Sequence, residues 1–137
     1  MRRGAAAAAA LGCVLVSSGC GGAKALHAGD VTVLVAERSG DSMDALSAGA
    51  LTVVGGCAGV GDSVVLWPHG TDIVDDDPLT LDVPGVGHVA LGERFEMGGG
   101  FIYETGDTDR PPPDEFGDGV PIPDDCQGRD IWLAAPG

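Results

Sequence analysis

Between positions 31 and 133 the apolar residues fall into short runs broken by glycine and proline, the pattern of strands rather than helices. Val31–Glu37 is dense in β-branched side chains. Ala50–Val54 follows, with Leu51 and Val53 on one face and Cys57 on that same face if no bulge intervenes. Asp62–Trp67 is the next run, and the Gly55-Gly56 and Ala58-Gly59-Val60-Gly61 stretches before it read as turn and bulge. Trp67-Pro68-His69-Gly70 then breaks the ladder, because proline lacks the donor a central strand requires. Leu79–Val83 alternates cleanly, with Leu79, Leu81 and Val83 inward and Thr80 and Asp82 toward water. After the Pro84-Gly85 turn signal come Val86–Leu91 and Phe95–Met97. Gly98-Gly99-Gly100 reads as a bend or bulge before Phe101–Tyr103, and Ile131–Leu133 is a short closing strand.

No window sustains a helical stripe. The best helical candidate, Ser42–Ala48, with Asp41 or Ser42 as its cap, is worth one or two turns. Short strands at regular spacing with Gly/Pro turns predict an all-β fold: a small antiparallel barrel, OB-like or SH3-like, of about five to seven strands. Barrel closure would also remove aggregation-prone edges. Residues 104–129 depart from this pattern. Pro111-Pro112-Pro113 and a series of carboxylates predict a long, stiff, polar loop, pinned at its far end by Cys126.

The first 29 residues follow a different logic. Arg2 and Arg3 precede an uncharged run, Ala5 to Val16, of 12 residues. That is the size of the apolar region of an export signal and short of the ~20 residues that span a bilayer. Val16-Ser17-Ser18-Gly19-Cys20 then resembles the lipobox of bacterial lipoproteins, in which the cysteine is lipidated and becomes the first mature residue. Ser17 stands where that motif carries an aliphatic residue, so ordinary cleavage near Gly19–Ala23, yielding a secreted protein, is the alternative. Residues 1–19 are therefore expected to be a signal peptide, 20–29 a lipidated cysteine and flexible tether, and 30–137 the barrel domain. The expected location is the outer face of the cytoplasmic membrane, held through the N-terminal lipid.

The chain has four cysteines. With Cys13 in the signal and Cys20 as the lipid site, Cys57 and Cys126 remain. In an oxidising compartment such an isolated pair predicts one disulfide. The alternatives are a free thiol or a metal ligand; a structural zinc site wants closely spaced cysteines or histidines, which neither has.

Three segments stand in order: Gly49-Ala50-Leu51-Thr52-Val53-Val54-Gly55-Gly56-Cys57, then Val65-Leu66-Trp67-Pro68-His69-Gly70-Thr71, then Leu91-Gly92-Glu93-Arg94-Phe95 with Gly98-Gly99-Gly100 and the late Cys126. This order resembles a group of uncharacterised small actinobacterial lipoproteins and covers most of residues 43–133. The resemblance implies a surface lipoprotein with one disulfide, and no activity.

Composition narrows the function classes. The chain of 137 residues carries 21 Asp+Glu against 7 Lys+Arg, a net charge of −14. Without residues 1–19, Arg2 and Arg3 are lost and the balance becomes −16 over 118 residues. Nucleic-acid binding, which needs a basic stripe to release counterions, is excluded. The acidic clusters offer weak calcium candidates in Asp75, Asp76, Asp77, Asp107 and Asp109, since calcium takes six to eight oxygens. No EF-hand loop fits, because Pro111 occupies the ligand position after Asp107 and Asp109, and the default reading is a solvated negative surface. No enzyme is expected: Ser63 lies in no nucleophile elbow, His69 is expected to face solvent, and His88 has only Glu93 and Glu96 nearby in sequence. No cofactor is implied. Trp67 and Tyr103, with Trp132 and Phe101, are either core or an aromatic contact patch for a protein or glycan partner. The leading expectation is a monomeric cell-surface binding module; the alternative is a weakly calcium-binding or hydrolytic envelope protein.

Overall fold

The computed structural model describes residues 22–38 and 43–135. The signal peptide, Cys13, Cys20 and Ser42 lie outside them. The strands run in chain order as β1 (Lys24–Ala28), β2 (Val31–Val35), β3 (Ala45–Val54), β4 (Cys57–Val60), β5 (Ser63–Trp67), β6 (Asp72–Asp76), β7 (Leu79–Val83), β8 (Gly87–Ala90), β9 (Arg94–Tyr103), β10 (Glu115–Phe116), β11 (Val120–Pro121) and β12 (Ile131–Ala134). A single 3-10 turn, Asp124–Cys126, is the only helical element among the described residues. The chain is all-β, as the pattern predicts.

The main sheet curls into a ring. Its hydrogen-bonded path runs β2–β4–β3–β9–β12–β5 and returns to β2, with β1 paired outside on β2. The result is a small barrel-like fold. Most ladders are antiparallel, as expected. Three are parallel: β2 with β4, β2 with β5, and β12 with β5. They are parallel because β2, β5 and β12 are brought together by long crossovers rather than by hairpins.

These three strands explain the densest apolar runs. Each alternates between two separate hydrophobic clusters. Val33 and Val35, Val65 and Trp67, and Trp132 and Ala134 point into the barrel interior. Leu34, Val64, Leu66, Ile131 and Leu133 point outward, into a second cluster. Strands buried on both faces lose the polar alternation that marks a half-exposed sheet.

Residues 104–129 supply the cover for that outward face. Most of this segment is the long, exposed polar loop the sequence predicts, but its second half packs against the barrel. It contains the β10–β11 hairpin, with Phe116 opposite Val120, and it places Phe116, Ile122 and Cys126 in the outer cluster. The Ile122 amide donates to the Asp114 carbonyl at 2.8 Å. Its carboxylates sit on the solvent side, which is why the composition reads as loop.

The β6–β7–β8 meander forms a separate three-stranded sheet. Leu79, Leu81, Val83 and Val89 press its apolar face onto the interior cluster. It is tied to the ring by the Gly92 amide on the Leu51 carbonyl and the Leu51 amide on the Glu93 carbonyl.

Three local expectations are corrected, and the condition attached to the face of Cys57 is decided. Residues 24–28, expected to be tether, form β1, in full register with β2 from Lys24–Val35 to Ala28–Val31; small residues give little apolar signal, yet the backbone ladder and Leu26 and Ala28 hold the strand to the core. Ala45–Ala48 belongs to β3, not to a helix, because its ladder with β9 outweighs a marginal two-turn helix. Cys57 does not share a face with Leu51. Leu51 lies in the interior cluster, whereas Val54 and Cys57 lie in the outer one, because the Gly55-Gly56 turn, with Gly55 at φ +65°, resets the alternation. Gly98-Gly99-Gly100 does not break the chain into two strands: β9 runs through it. A Cβ on Gly99 would sit 2.7 Å from the Trp132 indole nitrogen and overlap the Leu133 carbonyl, so glycine is what lets β12 approach.

Candidate functional site

Cys57 and Cys126 form a disulfide with Cα atoms 5.8 Å apart. Both residues are fully buried. The bridge joins the start of β4 to the 3-10 turn, so it fastens the covering layer to the barrel wall. Close packing continues beside it: a side chain at Gly55 would overlap the Asp125 carbonyl.

Of the two readings of the aromatics, core or contact patch, Trp67 and Tyr103 take the core. Trp67 is 0% exposed and Tyr103 is 6% exposed, and they lie in different clusters. The Trp67 indole N–H donates to the Ala58 carbonyl at 3.2 Å, and the ring stacks on Phe95 with centroids 6.0 Å apart. A chain with so few aromatics uses them to fill its core. Phe101 is the exposed one, at 43%, set edge-on against Trp132 at 4.9 Å.

The acidic candidates do not converge. Asp75 and Asp76 are exposed on β6 and Asp77 in the following turn, where an Asp75 carboxylate oxygen accepts the Asp77 amide. Asp107 accepts the Asp109 amide at 2.9 Å and the Arg110 guanidinium at 3.2 Å. Among the described residues no three His, Cys, Asp or Glu side chains are grouped closely enough to hold a metal ion. His88 is exposed and lies 3.9 Å from Asp82 across the β7–β8 ladder. His69, expected to face solvent, is half-buried in the turn after β5, and its Nδ1 has no hydrogen-bond partner among the described residues.

What the structure does assemble is a groove at the seam between barrel and cover. Its volume is about 250 Å³. Leu66, Ile102, Leu133 and Phe116 form an apolar floor, and Glu37 and Glu115 stand beside it. Two elements of opposite origin make it: the outward face of β5, β9 and β12, and the β10 strand of the covering layer. The alternation predicted no such site, because Leu66 and Leu133 belong to runs read simply as strands and Phe116 to a segment read as loop. A legible clue was present: apolar residues on both parities of β5 and β12 require something outside to cover them. Gly117, at the rim, lies so close to Ala23 that a Cβ there would stand 2.5 Å from the alanine Cβ. The N-terminal segment thus passes next to the groove. A second, smaller depression of about 170 Å³ lies between Pro68, Pro84, Val86 and Met97.

No protein-family model, no curated protein and no solved structure matches the chain.

Proposed function

We propose that the protein is a lipid-anchored binding module of the cell envelope, that Cys20 carries the lipid, and that the groove between barrel and cover is its binding site. The observation that carries this reading is the groove itself: an apolar recess with polar groups at its edge, set on a rigid sheet and closed by a disulfide-fastened layer. Recesses of this kind are the usual places for ligands. The signal-like N-terminus, the lipobox-like Cys20 and the resemblance to small actinobacterial lipoproteins support attachment to the outer face of the cytoplasmic membrane. Because β1 begins at Lys24, only residues 21–23 separate the proposed lipid site from the fold. Three residues reach at most about 10 Å, so the groove beside Ala23 would be held close to the membrane surface.

The test is site-specific photo-crosslinking in cells, with mass spectrometry of the membrane fraction. The crosslinker is placed at Ile102 in the groove and, as control, at Thr80 on β7. We expect a diacylglyceryl group on Cys20 and an adduct formed from Ile102 but not from Thr80. An unprocessed chain that retains Arg2 and Arg3, with equal labelling from both positions, would contradict the proposal.

A further inference from the structure

The chemistry of the groove narrows what it takes. Resting on its reading as a binding site, we infer that the groove receives a long basic side chain, lysine or arginine, presented by a protein partner. Size is the first argument. At about 250 Å³ the recess falls below the ~300–1,000 Å³ of pockets that hold drug-sized ligands, so it suits one extended side chain rather than a cofactor or sugar chain.

Polarity is the second argument. The floor of Leu66, Ile102, Phe116 and Leu133 offers only apolar contact, whereas Glu37 and Glu115 are exposed carboxylates at its margin. Neither makes an ion pair among the described residues, where the pairs are His88–Asp82 and Arg110–Asp107. A lysine or arginine matches both parts, laying its methylene stem along the floor while its charged head reaches the carboxylates. An anionic ligand would meet these two carboxylates and a chain of net charge −14. A neutral alkyl group would gain the floor and nothing from the margin. The strong acidity of the chain also favours encounter with a basic partner surface.

Three probes of equal chain length separate these cases: pentylammonium, pentanol and pentanoate, titrated into the intact protein and followed by amide NMR shifts. We expect pentylammonium to shift Glu37, Ile102, Glu115 and Phe116 saturably. Pentanol should bind the same place about five-fold more weakly, the scale of exposed charge contacts, and pentanoate more weakly still. The double variant Glu37→Gln/Glu115→Gln, whose altered groups are exposed, should bring pentylammonium down to the affinity of pentanol while leaving shifts elsewhere unchanged. Equal binding of pentanol and pentylammonium would overturn the basic-side-chain assignment but leave the groove as a binding site. Pentylammonium shifts confined to the Asp72–Asp77 stretch, or no groove shift with any probe, would overturn both.

Discussion

Replacing Cys57 and Cys126 together by alanine should lower folding stability by about 4 kcal/mol, measured by urea unfolding of the oxidised wild type against the double variant. The two cysteines lie 69 positions apart, and closing so long a loop removes much conformational freedom from the unfolded chain. A domain of this size has about 5–15 kcal/mol in total, so the loss would bring the melting temperature down by on the order of 15 °C. The ring itself should persist under mild conditions, because none of its ladders passes through residues 104–129. What the variant loses first is the cover over Leu34, Val64, Leu66 and Ile131. The groove should go with it, since Phe116 and Glu115 line it. A change below about 1 kcal/mol would mean that the layer holds its place without the bridge.

Trp67→Ala should cost about 3–5 kcal/mol, the range for removing a large aromatic from a close-packed interior. Trp67 is completely buried. It ends β5 at the point where that strand meets β2, opposite Val35. Its removal would empty the space beside Phe95 and delete the donor to the Ala58 carbonyl. Trp67→Phe should keep most of the packing and lose that hydrogen bond, costing about 1–3 kcal/mol. Circular dichroism during urea unfolding reads both, independently of the tryptophan signal that the substitutions remove. A Trp67→Ala loss under 1 kcal/mol would place the ring outside the core.

Much of the barrel is visible in the pattern of residues, and the exceptions have physical causes. Leu79–Val83 is predicted residue for residue because one face is solvent and the other core, so side-chain chemistry alternates with the pleat. β4 reads as turn and bulge because it is rich in small residues, yet all four of its positions are buried. There Gly59 is required by closeness: a Cβ would overlap the Ser63 carbonyl and stand 2.8 Å from a Val54 methyl. β6 reads as a charged surface because Asp72, Asp75 and Asp76 dominate it; charge on an edge strand is one way sheets avoid pairing with neighbours. The disulfide follows from cysteine counting once Cys13 and Cys20 are set aside with the export signal. The groove does not, because it arises between two segments that lie far apart in the chain, and Phe116, which helps line it, stands alone among prolines, glycines and acids.

The packed state of residues 114–126 underlies both the stability of the outer cluster and the existence of the groove. Amide hydrogen exchange reads it directly in the oxidised protein. The Ile122 amide, bonded to the Asp114 carbonyl, and the Cys126 amide, bonded to the Pro123 carbonyl, should be strongly protected, with exchange comparable to that of β12. The exposed Thr108 and Arg110 should exchange freely. Exchange at the rate of an unstructured chain at Ile122 and Cys126 would show a loose loop, and would contradict a covering layer and the groove beneath it.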